Sequence, residues 1–324
     1  MAERLLADLT LIRQGFLPDQ AVLIDDAGVV SAVGPARDVP APPGVPTLRL
    51  GGKALVPGLV NAQSRSGGRL PGPAGPAARL AFADMLLRGV TTVCEWVDLD
   101  TNGPEANLAL VEAARSVGIR LTLVCAVSDG DGADFQAFLD SLAGDRHVRA
   151  VASSPATCHV VDGPLSLGGV ARLADTRLPA MFCPAIFHAQ PECRPPLLAL
   201  VEAGVPVALG TAGSNGASVL ALLRGLGVGA RDAWVMATEN GARVSTWNVG
   251  TISSGLCADL VTVDLGDVST LPHTDLLHSL VFSAESTALR DVCVAGRWVV
   301  RDGILVSRSA REIVREAGAL RPAK

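Results

Sequence analysis

The residues of this chain best suited to chemistry sit at the ends of short apolar runs. Gln63 and Arg65 close "ALVPGLVNAQSR", and Glu95 and Asp98 close "VTTVCEWVD". Cys125, Ser128 and Asp129 end the next run, His159 and Asp162 lie in "CHVVDG", Cys183 and His188 follow "LPAMF", and Thr211, Ser214 and Asn215 follow "VPVALG". Arg65 carries a permanent charge that can clamp a carboxylate or phosphate, or stabilise developing negative charge. Glu95 lies in an apolar stretch, where a carboxylate must be paired or shifted in pKa, as a general acid/base is. His159 is a candidate general acid/base, the role histidine most often fills, and Asp162 is close enough along the chain to orient it. Cys183 would need a thiolate-stabilising neighbour to act as a nucleophile; His188 is five residues on, and no local signature supports the pair.

We expect Glu95, His159, Arg65 and Asp162 to be catalytic, and Gln63, Asp98, Asp129, Cys183, His188, Ser214 and Asn215 to bind substrate. Each of the main candidates also has a plainer role. Arg65 suits a surface arginine on a Gly-rich loop, and Glu95 a structural salt bridge. His159 suits a hydrogen-bonded pocket histidine, and Cys183 a buried inert thiol.

The elements that would position these groups are legible in the pattern. Between residues 53 and 248, apolar strands of five to eight residues alternate with helix-like stretches at 76–88, 104–117, 132–143, 165–174, 195–203, 215–226 and 231–244. Alternating β and α units imply a parallel sheet, open or closed into a barrel, whose strand ends build the site. Residues 1–52 and 249–324 read instead as short strands and turns, with "VAGRWVVRDGIL" a hairpin signal turning at Gly296 and Asp302-Gly303. Each end alone holds too few strands to be stable, so the two are expected to form one small composite β-sandwich.

Composition narrows the class. Of 324 residues 49% are hydrophobic and 18% charged, which fits a large buried core and argues against disorder. The net charge of −5, without a Lys/Arg run, argues against nucleic acid as a partner. No apolar run approaches a membrane span, and "MAERLLADLTLIRQG" has no signal-type apolar region. Seven cysteines, scattered with no CxxC pair, read as reduced thiols, so a cytoplasmic location is expected.

Several segments together resemble the amidohydrolase superfamily, in its deaminase and chlorohydrolase branch. "GKALVPGLVNAQSR" resembles the first barrel strand, which in the family runs on into Ala-His-x-His. "VPVALGTAGS" resembles the last, which ends in Gly-Thr-Asp. "GTISSGLCADLVTVDL" with "VCVAGRWVVRDG" resembles the return into the small domain. "ATCHVVDGPLSLGGVARLADTRLPAMFCPA" resembles the stretch carrying a pocket histidine, a helix and a Cys-Pro strand. The resemblance implies an α/β fold, a (β/α)8-type TIM barrel plus a β-sandwich. The barrel segment is shorter than the about 250 residues of a full one, so a shortened or distorted barrel is expected, with cryptic strands sought in "SSPATCHVV".

The resemblance also implies a divalent metal held by imidazoles and a carboxylate, activating a water. Here Gln63 and Arg65 stand at the two histidine positions and Ala212 at the aspartate. Glutamine is a poor transition-metal ligand, and arginine cannot deprotonate to become one. The expectation is therefore no metal and no cofactor. We expect a metal-independent pocket doing acid/base chemistry (cyclisation, elimination, isomerisation or addition) on a small polar nitrogen-containing or carboxylated molecule. Two other readings stay open: a catalytically silent binding or scaffold subunit, and a metal-dependent hydrolase with a rewired site drawn from His159, Cys183, His188 and Glu95. A homodimer, or pairing with an active homologue, would cover an open sheet edge.

Overall fold

Pro57 and Gly58 mark the point where the chain passes from one sheet to another. Pro57 ends a long strand in the middle of its sheet and offers no amide to continue its ladder. Gly58 follows because a Cβ there would collide with the side chain of Thr91. The computed structural model describes residues 2–66, 74–126, 132–153, 158–161, 163–189, 194–212, 218–272 and 274–318.

The first sheet draws on both ends of the chain. It comprises β1 (Glu3–Ile12), β2 (Gly15–Pro18), β3 (Gln20–Ile24), β4 (Val30–Pro35), β5 (Thr47–Pro57), β13 (Leu260–Asp264), β14 (Leu289–Val294), β15 (Arg297–Arg301) and β16 (Ile304–Leu305). Their order is β16-β15-β14-β13-β5-β1-β3-β4, with β2 beside β1. Only the β1–β5 pair is parallel among these ladders. The hairpin signal is realised as expected: Ala295 and Gly296 (φ 50° and 73°) turn β14 into β15, and Asp302 and Gly303 (φ 48° and 74°) turn β15 into β16. Two consecutive positive φ values make turns whose twist matches the strands they join.

The second unit is parallel. Strands β6 (Leu59–Ser64), β7 (Val90–Asp98), β8 (Arg120–Ala126) and β9 (Val148–Ala152) form one ladder, and β10 (His159–Val160), β11 (Ala180–Phe182) and β12 (Val207–Leu209) another. β10 lies inside "SSPATCHVV", where a cryptic strand was sought. The ladders meet on one side, where the backbone amides of Thr211 and Ala212, just past β12, donate to the Gln63 carbonyl at 2.8 and 3.0 Å. Asn61 and Thr211 add a reciprocal pair at 3.0 and 3.2 Å. No pairing joins β9 to β10 among the described residues. Among the described residues the barrel expected to be shortened or distorted comprises seven strands in two ladders, joined at the β12–β6 side.

The helices are α1 (Ala74–Leu87), α2 (Leu99–Val117), α3 (Gly132–Ser141), α4 (Leu167–Thr176), α5 (Pro184–Ala189), α6 (Leu197–Glu202), α7 (Val219–Leu223), α8 (Ala230–Met236), α9 (Glu239–Ser245), α10 (Leu276–Phe282) and α11 (Ala310–Gly318). The helix expected over 231–244 is two, broken at Ala237–Thr238. The break turns α9 inward, where Gly241 packs so tightly on Val60 that a Cβ would sit 2.8 Å from it. The Ser245 carbonyl accepts from Thr122 Oγ1 at 2.7 Å and Asn240 Nδ2 donates to the Val207 carbonyl at 2.9 Å, so α9 plugs the end where the strands begin.

Two apolar layers follow from strand alternation. Outward residues such as Val93, Val97, Leu121, Leu123, Phe182 and Leu209 pack with Phe82, Leu86, Leu110 and Val111 of the helices. Inward residues Ala62, Cys94, Val124, Cys158, Met181 and Ala208 pack with Val244 of the plug.

Arg120 and Asp259 bind the two units together. Arg120 at the start of β8 donates to both carboxylate oxygens of Asp259, just before β13, at 2.9 and 2.7 Å, and each side chain is 1% exposed. Burial works against the guanidinium's charge, but the carboxylate overrides it and holds Arg120 above its ordinary value. Breaking one partner of such a pair strands the other. Arg120→Met and Asp259→Leu should each lower stability in urea denaturation by about 3–5 kcal/mol, and the two changes together by less than their sum.

Candidate functional site

The ends of β6, β11 and β12 converge. β6 carries a register irregularity between Asn61 and Ser64 against β7, so strict alternation fails there. Ala62 faces the interior, and the Gln63 side chain reaches Cys183 at the end of β11, whose thiol donates to Gln63 Oε1 at 2.7 Å. Gly210 lies between them: a Cβ on it would stand 2.5 Å from Gln63 Cβ and 2.8 Å from Cys183 Sγ. Ala212 takes a left-handed conformation, φ 49°, which costs a residue with a Cβ about 1–2 kcal/mol and turns its amide back onto the Gln63 carbonyl.

Arg65 is exposed, one residue past β6, and close enough to Cys183 for its charge to act on the thiol. Burial pushes Cys183 up to about 12, against the opposing pull of the Ala212 amide, the Arg65 guanidinium and the Gly210 amide. Cys183 is therefore a protonated hydrogen-bond donor at neutral pH, not a nucleophile. The structure thus brings together Gln63, Arg65 and Cys183 from the expected set, and adds Gly210 and Ala212.

Glu95 is placed differently. Val93 and Val97 belong to the helix-facing layer, whereas Cys94 and Trp96 face the interior, so alternation along β7 puts Glu95 on the helix side. It is 1% exposed and accepts from Ser66 Oγ at 2.9 Å, while Ser64 and Ser66 hydroxyls are 3.3 Å apart. The carboxylate thus holds the turn that carries Arg65. The expectation that Glu95 faces the pocket is corrected: that inference followed the strand end without following its alternation.

His159 lines a cavity of about 410 Å³ at the seam between the two ladders, with Trp96, Ser153, Cys158, Val160, Val161, Gly163, Pro164, Leu165 and Leu173. Trp96 donates from Nε1 to the Ala62 carbonyl at 3.2 Å, which fixes its ring as a wall. Burial raises Cys158 to about 11, so this wall too is neutral. His159 Nε2 lies 3.1 Å from Thr176 Oγ1 at the end of α4. The cavity holds His159 but not Glu95, so the structure does not join these two expected acid/base groups. Asp129, Asp162, Ser214 and Asn215 lie outside the described residues, as do the side chains of Asp98 and His188, whose backbones end β7 and lie in α5. Trp96, Ser66 and Thr176 were not anticipated; for Trp96 the signal was available, since it alternates with Glu95.

The resemblance implies a metal at the ends of β6 and β12, and the residues there do not fit one. Gln63 Oε1 is engaged by a thiol, Arg65 brings a positive charge, and Ala212 offers a methyl group. No group of three His, Cys, Asp or Glu side chains able to hold a metal occurs among the described residues.

The protonated state of Cys183 has a direct readout. At about pH 7.5 iodoacetamide should leave Cys183 unlabelled in the folded protein and label it in urea, as mapped by mass spectrometry. Rapid labelling of Cys183 in the folded protein would show an ionised thiol and a broken bond to Gln63.

Comparison with known proteins agrees with this architecture. Residues 151–299 match the amidohydrolase family. The 5-methylthioadenosine/S-adenosylhomocysteine deaminase of Dictyoglomus thermophilum is 33% identical over 138 residues, covering 38% of this chain and 32% of the deaminase. That of Moorella thermoacetica is 30% identical over 161 residues, covering 44% and 38%. The chain thus matches about a third of the length of these curated relatives. A zinc-bound adenosine deaminase structure from Xanthomonas campestris superposes with a TM-score of 0.83 at 20% identity, covering 98% of this chain and 97% of that one. A zinc complex of the atrazine chlorohydrolase of Arthrobacter aurescens gives a TM-score of 0.82 at 17% identity, covering 98% and 99%. The chain has the fold of these structures over nearly its whole length, and its sequence is related to amidohydrolase deaminases and hydrolases.

Proposed function

We propose that this chain is an amidohydrolase-family enzyme whose pocket works without the family metal, doing acid/base chemistry on a small polar nitrogen-containing or carboxylated molecule. The observation that carries the reading is the pairing of two features. The strand-end positions of a metal site hold the Gln63–Cys183 bond, Arg65 and Ala212, while a separate cavity presents a histidine beside an aromatic wall. His159 is the proposed acid/base. Trp96 offers its face to a planar nitrogen heterocycle, the kind of ring named in the adenosine, S-adenosylhomocysteine and triazine relatives. Arg65 is the proposed holder of a negative group.

A histidine suits this task because its proton exchange near neutral pH needs no metal to lower a pKa. Hydrolysis through an activated water suits the site poorly, because a guanidinium cannot ligate a water-bearing cation. Reactions that move a proton within the substrate fit better.

A silent binding role is the second reading. It is favoured by the position of Glu95, on the face of β7 opposite the Trp96 wall. Turnover separates the two. Across a panel of aminated and carboxylated heterocycles, His159→Gln should reduce turnover by about a hundredfold, the lower range for a lost acid/base group. Arg65→Ala should raise KM for carboxylated members alone, and a chelator should leave rates unchanged. About one equivalent of tightly bound zinc or iron in the purified protein would overturn metal independence. Rates unaffected by His159→Gln would overturn the acid/base assignment.

A further inference from the structure

We infer that Thr176 is a positioning residue that fixes His159 in a single tautomer, with the proton on Nε2 and the basic lone pair on Nδ1. The inference rests on the reading of His159 as the acid/base group, and it specifies which ring nitrogen does the work.

The argument is a count of hydrogens. A threonine hydroxyl has one proton to give and two lone pairs to accept with. Thr176 Oγ1 donates to the Leu173 carbonyl, one turn back in α4, at 2.7 Å. Its oxygen also receives the backbone amide of Leu178 at 3.2 Å. With the proton committed to Leu173, the contact to His159 Nε2 at 3.1 Å can be a hydrogen bond only if the ring nitrogen donates. A neutral imidazole carries one N–H, so Nδ1 is left as the acceptor.

The fold sets the positions of both groups, although the contact itself is solvent-exposed. Arg177 ends α4 in a left-handed conformation, φ 56°, with its amide on the Ala174 carbonyl. That cap holds Thr176 at the point where the chain turns into β11. β11 in turn pairs with β10, setting His159 opposite Ala180. The amide of His159 donates to the Pro179 carbonyl at 2.8 Å, three residues beyond Thr176. Ring and hydroxyl are therefore held by the same short stretch of backbone. Such an outer partner sets the orientation and tautomer of a working histidine without touching substrate.

In the proposed reaction, Nδ1 takes a proton from substrate and His159 becomes an imidazolium with both nitrogens donating. The Thr176 contact survives that change, because Nε2 donates in both states. The ring need not rotate during turnover.

The test is nitrogen NMR on protein labelled in its histidines. The His159 signals are assigned by their loss in His159→Gln, and spectra are taken at about pH 8.5, roughly two units above an ordinary histidine pKa. The wild-type protein should show a protonated Nε2 and a bare Nδ1, each at its limiting shift. Thr176→Ser should keep that pattern. Thr176→Val removes the acceptor and should move both signals to the averaged positions of an unrestrained ring, with loss of turnover that the serine variant restores. A wild-type ring protonated on Nδ1, or valine-variant shifts identical to wild type, would overturn the inference. The shifts decide it whether or not His159 proves essential, so its failure is separable from that of the proposed function.

Discussion

The bidentate Arg120–Asp259 pair is the interaction on which the two-unit architecture rests. Asp259 also receives Thr92 Oγ1 at 3.3 Å from β7 and the amide of Ala295 at 2.9 Å from the β14–β15 turn, and its carbonyl accepts the Gly58 amide at 2.9 Å. One residue thus touches the passage from β5 to β6, the next two barrel strands and the returning hairpin. Arg120 gives its remaining reach to the Arg146 carbonyl at 2.8 Å and lies over Trp247 with its carbon 4.3 Å from the ring centre, while Arg149 covers the same ring at 3.7 Å. Taking two charges out of water is expensive, and a hydrophobic pair would hold the units at least as firmly. What the ion pair adds is direction. A carboxylate accepting four hydrogen bonds from three residues admits one relative placement of the strands, where an apolar patch would admit several.

That junction sits where the barrel strands begin, and α9 with Thr246 and Trp247 plugs the same end. The opposite end, where the strands finish, is left to side chains with different demands. There the closure of β12 onto β6 runs through the Gln63 carbonyl and the Asn61–Thr211 pair. The division matches a general feature of parallel barrels, in which stability resides at one face and chemistry at the other. Gln63, Arg65 and Ala212 lie at the end that the ion pair does not support.

How much of this was legible in the sequence depended on how local each signal was. The β14–β15–β16 meander was legible because its turns need positive φ and carry Gly296, Asp302 and Gly303 to supply it. The long parallel strands β7 and β8 were legible as apolar runs bounded by polar ends. β10 was only glimpsed, because two residues hold no periodicity. The helix over 231–244 was read as one because its apolar spacing continues through Ala237 and Thr238. The break comes from tertiary packing of Gly241 on Val60. Among the site residues, Gln63 and Arg65 were placed at a strand end correctly, but the irregularity in β6 is a pairing property that one strand cannot announce. Glu95 was misplaced for a different reason. Its neighbours Val93 and Val97 showed which face it shares, and an alternating reading of "VTTVCEWVD" puts the acid outside and Trp96 inside.

The last consequence concerns charge. A metal supplies two things to a pocket, a positive field and an activated water, and on the proposed reading Gln63 and Arg65 at the end of β6 separate them. Arg65 can restore the field, since a guanidinium in a protein is a permanent cation. It cannot restore the water, because it has no coordination site to polarise one and no lone pair to accept a proton from one. On the proposed reading, the proton traffic must then pass through a group that titrates, and among the groups lining the described cavity that group is His159. The thiol of Cys158 is held protonated by burial, and Trp96 has no proton to trade near neutrality. The same argument makes the tautomer of His159 matter more than it would beside a metal. With hydroxide generated by an ion, a neighbouring histidine needs only to be near. As the principal base it must present its lone pair on a fixed atom, and the hydroxyl of Thr176 is placed to decide which atom that is.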